Sequence, residues 1–531
     1  MVWCNLDELK SFDELKKMKR VDLSKELVAD NSTERIKKFV ADGACDFKFS
    51  YAGRQVDDNI LEVLQKLSDE ANLIEKYKLL LDGEYVNTGE NRMVLHHLTR
   101  GQLGADVFEG AENKRQFYEN ELNKIKALVE DIHSGKILSC NGKTFTDVVQ
   151  IGIGGSDLGP RAMYLALKNW ANANNTEKMQ AHFISNVDPD DCVSVLESLK
   201  SRLAQTIFIL VSKSGTTQET LANEMLVKTT LKKAGLDPAK QMLTVTSCTS
   251  PLAKSNNYLQ AFFMDDHIGG RYSSTSVCGG VVLSLAFGFS VFSDFLLGAN
   301  AYDKIALEKN ILKNPTLLDA LIGVYESSVL DYESTAVLPY SQGLSKFPAH
   351  LQQLDMESNG KTVNRFGKPV SYKTGPVLLG EPGTNGQHSF YQLLHQGSRI
   401  VPLQFVGFKK SQMGVDVTVD NSSNQKKLNA NLVAQIIAFA CGKKVDGDNL
   451  NKNFAGNRPS SLLFNKGSLT PKALGALLSH FENKVMFQGF LWNLNSFDQE
   501  GVQLGKKLTN AVLSGDADKN AQAYIEVLDI I

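Results

Sequence analysis

Apolar positions in the first 120 residues recur three and four apart, which is the spacing of one face of an α-helix. Leu6, Leu9 and Phe12 stand among charged neighbours in this way, and the same rhythm runs through 59–81. Runs of β-branched residues are scarce here, and such runs are what strands favour. The sequence therefore predicts a helical N-terminal segment over 1–120.

From residue 147 the pattern changes to short apolar runs, each followed by a turn and an amphipathic stretch. The predicted strands are 148–153, 182–187, 206–211, 242–246 and 262–264, and then 335–339, 377–379 and 399–406. Strands that alternate with helices are typical of βαβ units and parallel sheets. We therefore predict an α/β protein with two doubly wound parallel-sheet domains, whose second set of strands is separated by helices such as 345–357 and 388–395.

These patterns divide the chain into four segments. The helical segment 1–120 is expected to pack on the larger domain. A first sheet domain is predicted over 121–288 and a second over 289–510, followed by a helical C-terminal tail over 511–531.

The run 281–298 is the one stretch whose apolar character suggests a membrane span. Ser284, Ser290, Ser293 and Asp294 interrupt it, whereas a spanning helix needs about 20 apolar residues with few or no charges. The run is therefore predicted to be a buried core helix, and we expect no membrane partner.

Composition narrows the class of protein further. The 531 residues include 57 Lys+Arg and 59 Asp+Glu, for a formal net charge of −2. Nucleic-acid-binding domains usually carry a basic excess, so we expect no nucleic-acid partner.

The seven cysteines are scattered and form no Cys-x-x-Cys pair, and the first 20 residues lack the apolar stretch of a signal peptide. Both observations predict a cytoplasmic protein with reduced thiols.

A glycine-dense turn follows the predicted strand 148–153 and precedes a predicted helix. Backbone can approach a ligand closely at such a turn, and a helix N-terminus favours an anion. A dinucleotide-binding Gly-x-Gly-x-x-Gly that starts at Gly152 would need glycine at position 157, where this chain has Asp157. The missing glycine argues against a nicotinamide-dependent oxidoreductase. The motif by itself is also compatible with a tight turn that binds no ligand.

A second turn gathers hydroxyl groups and an ammonium group after the predicted strand 206–211. Its polar residues are Ser212, Lys213, Ser214, Thr216 and Thr217. A phosphate monoester needs several short hydrogen bonds, whereas a helix cap needs only one hydroxyl, so the turn is predicted to bind phosphate. Thr216 and Glu219 also have the spacing of a capping box. The Walker sequence for ATP is absent.

Five further residues are candidates for chemistry, although each alone has an ordinary structural explanation. Arg271 follows paired glycines and suits an oxyanion or a surface ion pair, and Glu357 lies near a predicted helix end. His388 ends a glycine-rich loop, and Gln499 and Lys506 lie seven apart, on one face of a helix. The nine histidines show no metal-binding spacing, so we expect no metal site.

The residues of these motifs, and their order along most of the chain, closely resemble those of the phosphoglucose isomerase family. The matching motifs are 87–96, 151–160, 212–220, 269–273, 356–361, 383–389 and 497–506. The resemblance implies two sugar-isomerase-type (SIS) domains of flavodoxin-like topology, with a helical N-terminal segment and a C-terminal arm. It also implies a homodimeric isomerase without a cofactor, which interconverts glucose 6-phosphate and fructose 6-phosphate in glycolysis and gluconeogenesis.

The resemblance further assigns roles to matching residues. Glu357 would be the base that moves a proton between C2 and C1 through a cis-enediolate, and Arg271 would stabilise that enediolate. His388 of the neighbouring subunit would assist ring opening, and Lys506 would act near the ring oxygen and O1. The residues implied to contact the substrate are Ser212, Lys213, Ser214 and Thr217 at the phosphate, Gly155, Ser156 and Gln353 along the sugar chain, and Gln499.

The chemistry of these residue types agrees with the implied roles. A single carboxylate can remove a proton next to a carbonyl and return it one carbon away. The negative charge that develops on the enediolate needs a fixed cation. A non-catalytic sugar-phosphate sensor on the same domains is the alternative. It would need the turn 212–217 but would have no reason to retain the four catalytic candidates together.

Overall fold

The computed structural model describes residues 2–28, 30, 32–445 and 449–530. Its strands are β1 Val40–Asp42, β2 Phe47–Ser50, β3 Phe108–Glu109, β4 Glu112–Asn113, β5 Asp147–Ile151, β6 Gln180–Ile184, β7 Thr206–Val211, β8 Met242–Ser247, β9 Gln260–Met264, β10 Ser334–Pro339, β11 Val377–Leu379, β12 Leu403–Phe408, β13 Thr418–Val419, β14 Ser422–Ser423 and β15 Ser460–Asn465.

Its α-helices are α1 Lys10–Lys16, α2 Leu23–Glu26, α3 Ser32–Lys38, α4 Asp58–Glu70, α5 Leu73–Leu81, α6 Lys114–His133, α7 Leu158–Ala173, α8 Pro189–Ser198, α9 Gln218–Lys233, α10 Val277–Phe287, α11 Phe289–Ile305, α12 Pro315–Ser328, α13 Phe347–Asn359, α14 Tyr391–Gln396, α15 Asn424–Cys441, α16 Pro471–Leu491, α17 Gln503–Ser514 and α18 Lys519–Leu528. Short 3₁₀ helices lie between many of these elements.

The first sheet consists of five parallel strands in the order β6-β5-β7-β8-β9. This is the flavodoxin-like order, so the predicted doubly wound domain is confirmed. Every residue of β5, β7 and β8 is buried, as expected for a parallel sheet covered on both faces. Alternate side chains of β7 enter different cores: Ile207 and Ile209 pack with α7 and α10, whereas Phe208 and Leu210 pack with α8 and α9.

The second sheet has six strands in the order β1-β2-β15-β12-β10-β11. β15, β12, β10 and β11 are parallel, whereas β2 pairs with β15 and β1 pairs with β2 in the antiparallel sense. The predicted helical N-terminal segment 1–120 therefore also contains strands that its apolar pattern did not predict, β1 to β4. The turn between β1 and β2, 43–46, begins with Gly43, but its positive φ angles fall at Cys45 and Asp46, whereas the common hairpin turns place glycine or asparagine at such positions.

Helices α11 and α16 pack tightly against each other in the main core. A Cβ atom at Gly475 would overlap the carbonyl oxygen of Phe295, and a Cβ atom at Gly298 would overlap that of Lys472. Beside this contact Arg100 forms buried ion pairs with Asp303 and Glu482. Buried charges are retained in this way when they are paired and hydrogen-bonded.

The apolar run 281–298 forms two helices rather than the single core helix that was predicted. α10 is buried along its whole length, and Gly288 at φ 95° separates it from α11. In the described part of the chain no helix is long and apolar enough to cross a membrane.

Substitution Gly475→Ala tests the close contact between α11 and α16. We expect it to lower the free energy of unfolding by about 1–3 kcal/mol, because the new methyl group meets backbone that cannot move aside easily. Lys232→Ala, at an exposed position near the end of α9, is the control for alanine in a helix away from this contact. This change is expected to be neutral or stabilising. Equal urea midpoints for the two variants would contradict the packing argument.

Candidate active site

The order of the first sheet reverses between β5 and β7, because the chain continues from β5 to β6 on one side and from β7 to β8 on the other. Open α/β sheets bind ligands in the crevice at such a point, outside the carboxyl ends of the strands. The 3₁₀ helix Gly154–Ser156 follows β5, and the turn 212–217 follows β7. The two loops that the sequence predicted to bind a ligand therefore border one crevice.

Hydroxyl groups and backbone define the turn 212–217. The buried Ser212 Oγ donates to Thr217 Oγ1 at 3.3 Å and accepts the backbone N–H of Gly215 at 3.2 Å. Gly215 has φ 67°, and a Cβ atom there would overlap the Ser250 hydroxyl. Ser214 is exposed. The turn thus holds two of its hydroxyl groups in place and presents another to solvent.

The predicted capping box of Thr216 and Glu219 is wrong. α9 begins at Gln218, and its N-cap Thr217 makes no side-chain cap hydrogen bond. Thr216 instead donates its backbone N–H and its hydroxyl to Ser214 Oγ, at 3.2 and 3.0 Å. The N-terminus of α9 is therefore left without a side-chain cap, which suits an anion.

Lys213 links this turn to the segment before Arg271. Its Nζ donates to the carbonyl oxygens of Asp266 at 2.9 Å and Ile268 at 3.2 Å. Burial lowers the pKa of Lys213; the Asp266 carboxylate opposes this effect and Arg92 adds to it. The ammonium group has three protons, so one is still available to a ligand after the two carbonyl groups are satisfied.

The turn after β5 packs directly on the 3₁₀ helix Gly270–Thr275. A Cβ atom at Gly155 would overlap the backbone of Gly270, so only glycine allows this approach. Ser273 Oγ donates to the carbonyl oxygens of Gly270 at 2.7 Å and Gly155 at 3.4 Å. Ser156 is half-buried in the same turn.

Gln353, on α13, reaches the same crevice from the second half of the chain. Its Nε2 lies 3.5 Å from the position that a Cβ atom would take at Gly154. Its Oε1 is buried and has no hydrogen-bond partner among the described residues. A buried polar atom without a partner costs free energy, so a ligand hydroxyl would be favourable there.

Arg271 is 1% exposed and is held by three hydrogen bonds. Its Nε donates to Ser358 Oγ at 2.7 Å, and its Nη2 donates to the carbonyl oxygens of Ser496 at 2.6 Å and Asp498 at 2.9 Å. These bonds use three of the five N–H groups of the guanidinium. The Nη1 group remains, and it faces Glu357.

Glu357 lies in the last turn of α13, with its Oε1 at 3.4 Å from Arg271 Nη1. Its side chain is 22% exposed, so it can reach a ligand while the guanidinium behind it is almost completely buried. A carboxylate and a fixed cation are therefore side by side at the crevice. This is the arrangement that a proton transfer next to a carbonyl requires.

The structure does not bring the other three candidates into this group. His388 is exposed at the end of the 3₁₀ helix Asn385–His388, and Lys506 is exposed on α17. Gln499 is half-buried and directly follows Asp498. In the described part of the chain, no side-chain hydrogen bond or ion pair involves any of them. Their roles stay predictions.

Several residues of the site were missed by sequence reasoning. Ser358 fixes Arg271 Nε, and Tyr272 places its hydroxyl 3.2 Å from Ser358 Oγ. Lys361 and Asp498 form an ion pair of 2.8 Å beside them. Both residues lie inside motifs of the resemblance, which is the signal that could have found them. The described residues contain no group of three or more His, Cys, Asp or Glu side chains suited to a metal ion.

The chain is similar to known proteins along nearly its whole length. Residues 50–526 match the family model described as Phosphoglucose isomerase. The glucose-6-phosphate isomerase of Treponema denticola is 63% identical over 533 residues, which cover 99% of this chain and 100% of that protein. The enzyme of the same name from Treponema pallidum is 55% identical over 534 residues, which cover 100% and 99%. The crystal structure of a glucose-6-phosphate isomerase from Chlamydia trachomatis has a TM-score of 0.91 and 40% identity, and covers 99% of this chain and 100% of its own.

The lowered pKa of Lys213 gives phosphate binding a pH dependence. We expect the affinity for inorganic phosphate to fall as the pH rises through that pKa, below the ordinary lysine value of 10.5, because the neutral amine loses its attraction for the anion. Lys213→Met should bind phosphate about tenfold more weakly at neutral pH and lose the alkaline decline. Calorimetric titration across the pH range measures both effects.

Lys232→Met, at an exposed position near the end of α9, is the matched control and should retain the wild-type profile. A wild-type affinity that stays constant up to pH 10.5 would contradict the assignment.

Proposed function

The chain belongs to the phosphoglucose isomerase family, and we propose which of its residues perform each step of that family's reaction. The enzyme interconverts D-glucose 6-phosphate and D-fructose 6-phosphate, a step of glycolysis and gluconeogenesis. The observation that carries the assignment of residues is the contact between Glu357 and Arg271 beside the crevice of the first sheet.

The phosphate group of the substrate binds at the turn after β7. Ser212, Lys213, Ser214 and Thr217 supply hydroxyl groups and one ammonium group, and the uncapped N-terminus of α9 adds a favourable dipole. The sugar chain then extends past Gly155 and Ser156 toward Gln353. The close contact of Gly155 with Gly270 supports this path, because it brings the turn after β5 beside Arg271.

Glu357 is the base of the isomerisation. Its carboxylate takes the proton from C2 of the open-chain aldose and returns it to C1, so that the same group acts as base and then as acid on one face of a cis-enediolate. A second proton passes from O2 to O1, which turns the C1 carbonyl group into a hydroxyl group and the C2 hydroxyl group into a carbonyl group. Proton transfer between neighbouring carbons leaves the substrate with no net oxidation, so the reaction needs no redox cofactor.

Arg271 stabilises the enediolate oxygen. Three of its N–H groups are already held by the protein, which fixes the guanidinium before the substrate arrives. A fixed charge in a site from which water is excluded needs little reorganisation during the reaction. The Nη1 group that faces Glu357 is therefore placed where negative charge develops.

Ring opening needs a second acid–base pair, for which we propose His388 and Lys506, with Gln499 as a further substrate contact. His388 would come from the neighbouring subunit of a homodimer. Its exposure, and the absence of a hydrogen bond or ion pair of its side chain in the described part of its own chain, support this assignment.

Exposed apolar side chains support the homodimer. α17 and α18 bury no residue within the single chain, yet Leu504, Leu508 and Leu513 on α17 and Val527 on α18 are exposed. Large apolar side chains that are exposed together on two helices favour an interaction with a partner. A second copy of the chain that covers α17 and α18 would also bring its own loop, with His388, to the neighbouring active site.

We also propose that the enzyme works in the cytoplasm. All seven cysteines are free thiols; four of them, Cys4, Cys45, Cys140 and Cys441, are half-buried, and Cys248 is exposed. Accessible thiols that form no disulfide fit a reducing compartment.

Substitution Glu357→Gln tests the base. The amide keeps the shape of the side chain but cannot accept the proton, so we expect isomerisation of fructose 6-phosphate to fall at least about a thousandfold while the affinity for substrate changes little. Wild-type enzyme should retain its activity in excess chelator. The control Glu34→Gln, an exposed glutamate on α3, should behave as wild type. An inactive wild type that still binds sugar phosphate would support a sensor instead.

A mixture of two inactive variants tests whether His388 acts across the dimer. Each mixed dimer of Glu357→Gln and His388→Gln subunits has one site that combines an intact Glu357 with an intact His388 of the partner. Random subunit exchange should therefore restore about a quarter of wild-type activity. If His388 acted in its own chain, the mixture would stay as inactive as its components.

A further inference from the structure

Lys361 lies two residues after the end of α13 and is 18% exposed. Its Nζ donates to the carbonyl oxygen of Ser358 at 2.9 Å and to that of Asn495, and it is 2.8 Å from Asp498 Oδ1. A lysine ammonium has three protons. Two of them go to these carbonyl groups, and the ammonium group lies within ion-pair distance of the Asp498 carboxylate.

Arg271 depends on the same two segments that Lys361 joins. Its Nε is bonded to Ser358, on α13, and its Nη2 to the backbone of Ser496 and Asp498. Lys361 therefore links Ser358, which carries one acceptor of Arg271, to the loop 495–498, which carries the other two acceptors. A change in the distance between α13 and 495–498 would move the guanidinium relative to Glu357.

The Asp498 side chain is enclosed as well, with 14% exposure. Its Oδ2 accepts a hydrogen bond from Asn495 Nδ2 at 2.7 Å, and a Cβ atom at Gly89 would lie 2.6 Å from that oxygen. Asn495 Nδ2 also donates to Asn87 Oδ1 at 2.9 Å. The loop is thus held by the chain around Asn87 on one side and by Lys361 on the other.

We propose that the ion pair of Lys361 and Asp498 positions Arg271 against Glu357 and thereby sets the rate of proton transfer. Both are positioning residues, because they act on the reaction through the segments that hold Arg271. The inference rests on the proposed function, because it concerns the cation and the base assigned there.

Steady-state kinetics of Lys361→Met, Asp498→Asn and the double variant test the proposal. We expect kcat for fructose 6-phosphate to fall about 10- to 100-fold in each single variant, because small displacements of catalytic groups are costly. KM should change little, as should the affinity for sorbitol 6-phosphate, which lacks a carbonyl group and cannot react. The double variant should resemble the more impaired single variant, because the two residues act as one unit.

Lys368→Met is the matched control, at an exposed lysine after the same helix, and it should keep the wild-type kcat. Thermal unfolding of every variant separates rate from stability, and Asp498→Asn keeps the volume of the side chain if Lys361→Met folds poorly. A wild-type kcat in the folded single variants, even with a lower unfolding midpoint, would overturn this inference but not the proposed function. A rise in KM without a loss of kcat would also overturn it. An inactive wild type would overturn the proposed function as well.

Discussion

The buried guanidinium of Arg271 organises the site, because its three protein acceptors come from segments far apart in the sequence. Ser358 belongs to α13, and the carbonyl groups of Ser496 and Asp498 belong to a loop near the C-terminus. Arg271 itself follows β9 of the first sheet. A buried cation without these acceptors would be strongly unfavourable, so the two sheet regions and this loop must meet at one place.

This constraint explains why small residues surround the site. Arg271 contacts Glu357, and the turn after β5 borders the same crevice. Both are possible at once because Gly155 packs directly on Gly270. The proposed chemistry therefore combines groups from both halves of the fold: the proposed phosphate turn and Arg271 come from the first sheet region, and the proposed base, Glu357, comes from the helix after β10 of the second. Neither half contains a complete site.

The sequence predicted the parts of this molecule that local patterns encode. Apolar runs located the strands of the first sheet, and the resemblance pointed to Arg271 and Glu357, which the structure places in contact. β1 and β2 were missed, because the positive φ angles of their turn fall at Cys45 and Asp46 and not at a glycine that would indicate a hairpin. The acceptors of Arg271 were also missed, since two of them are backbone carbonyl groups, which every residue type possesses.

The second sheet has a consequence for biosynthesis. β15 lies between β12 and β2, and β2 is near the start of the chain. At this junction Arg54 donates a hydrogen bond to Ser461, which is 407 residues further along the sequence. All strands of the first sheet leave the ribosome long before β15 does. The nascent chain must therefore carry β2 with an unpaired edge until translation is almost finished, and such edges invite aggregation. We therefore expect the folding of this chain to depend on how well the open edge of β2 is protected before β15 arrives.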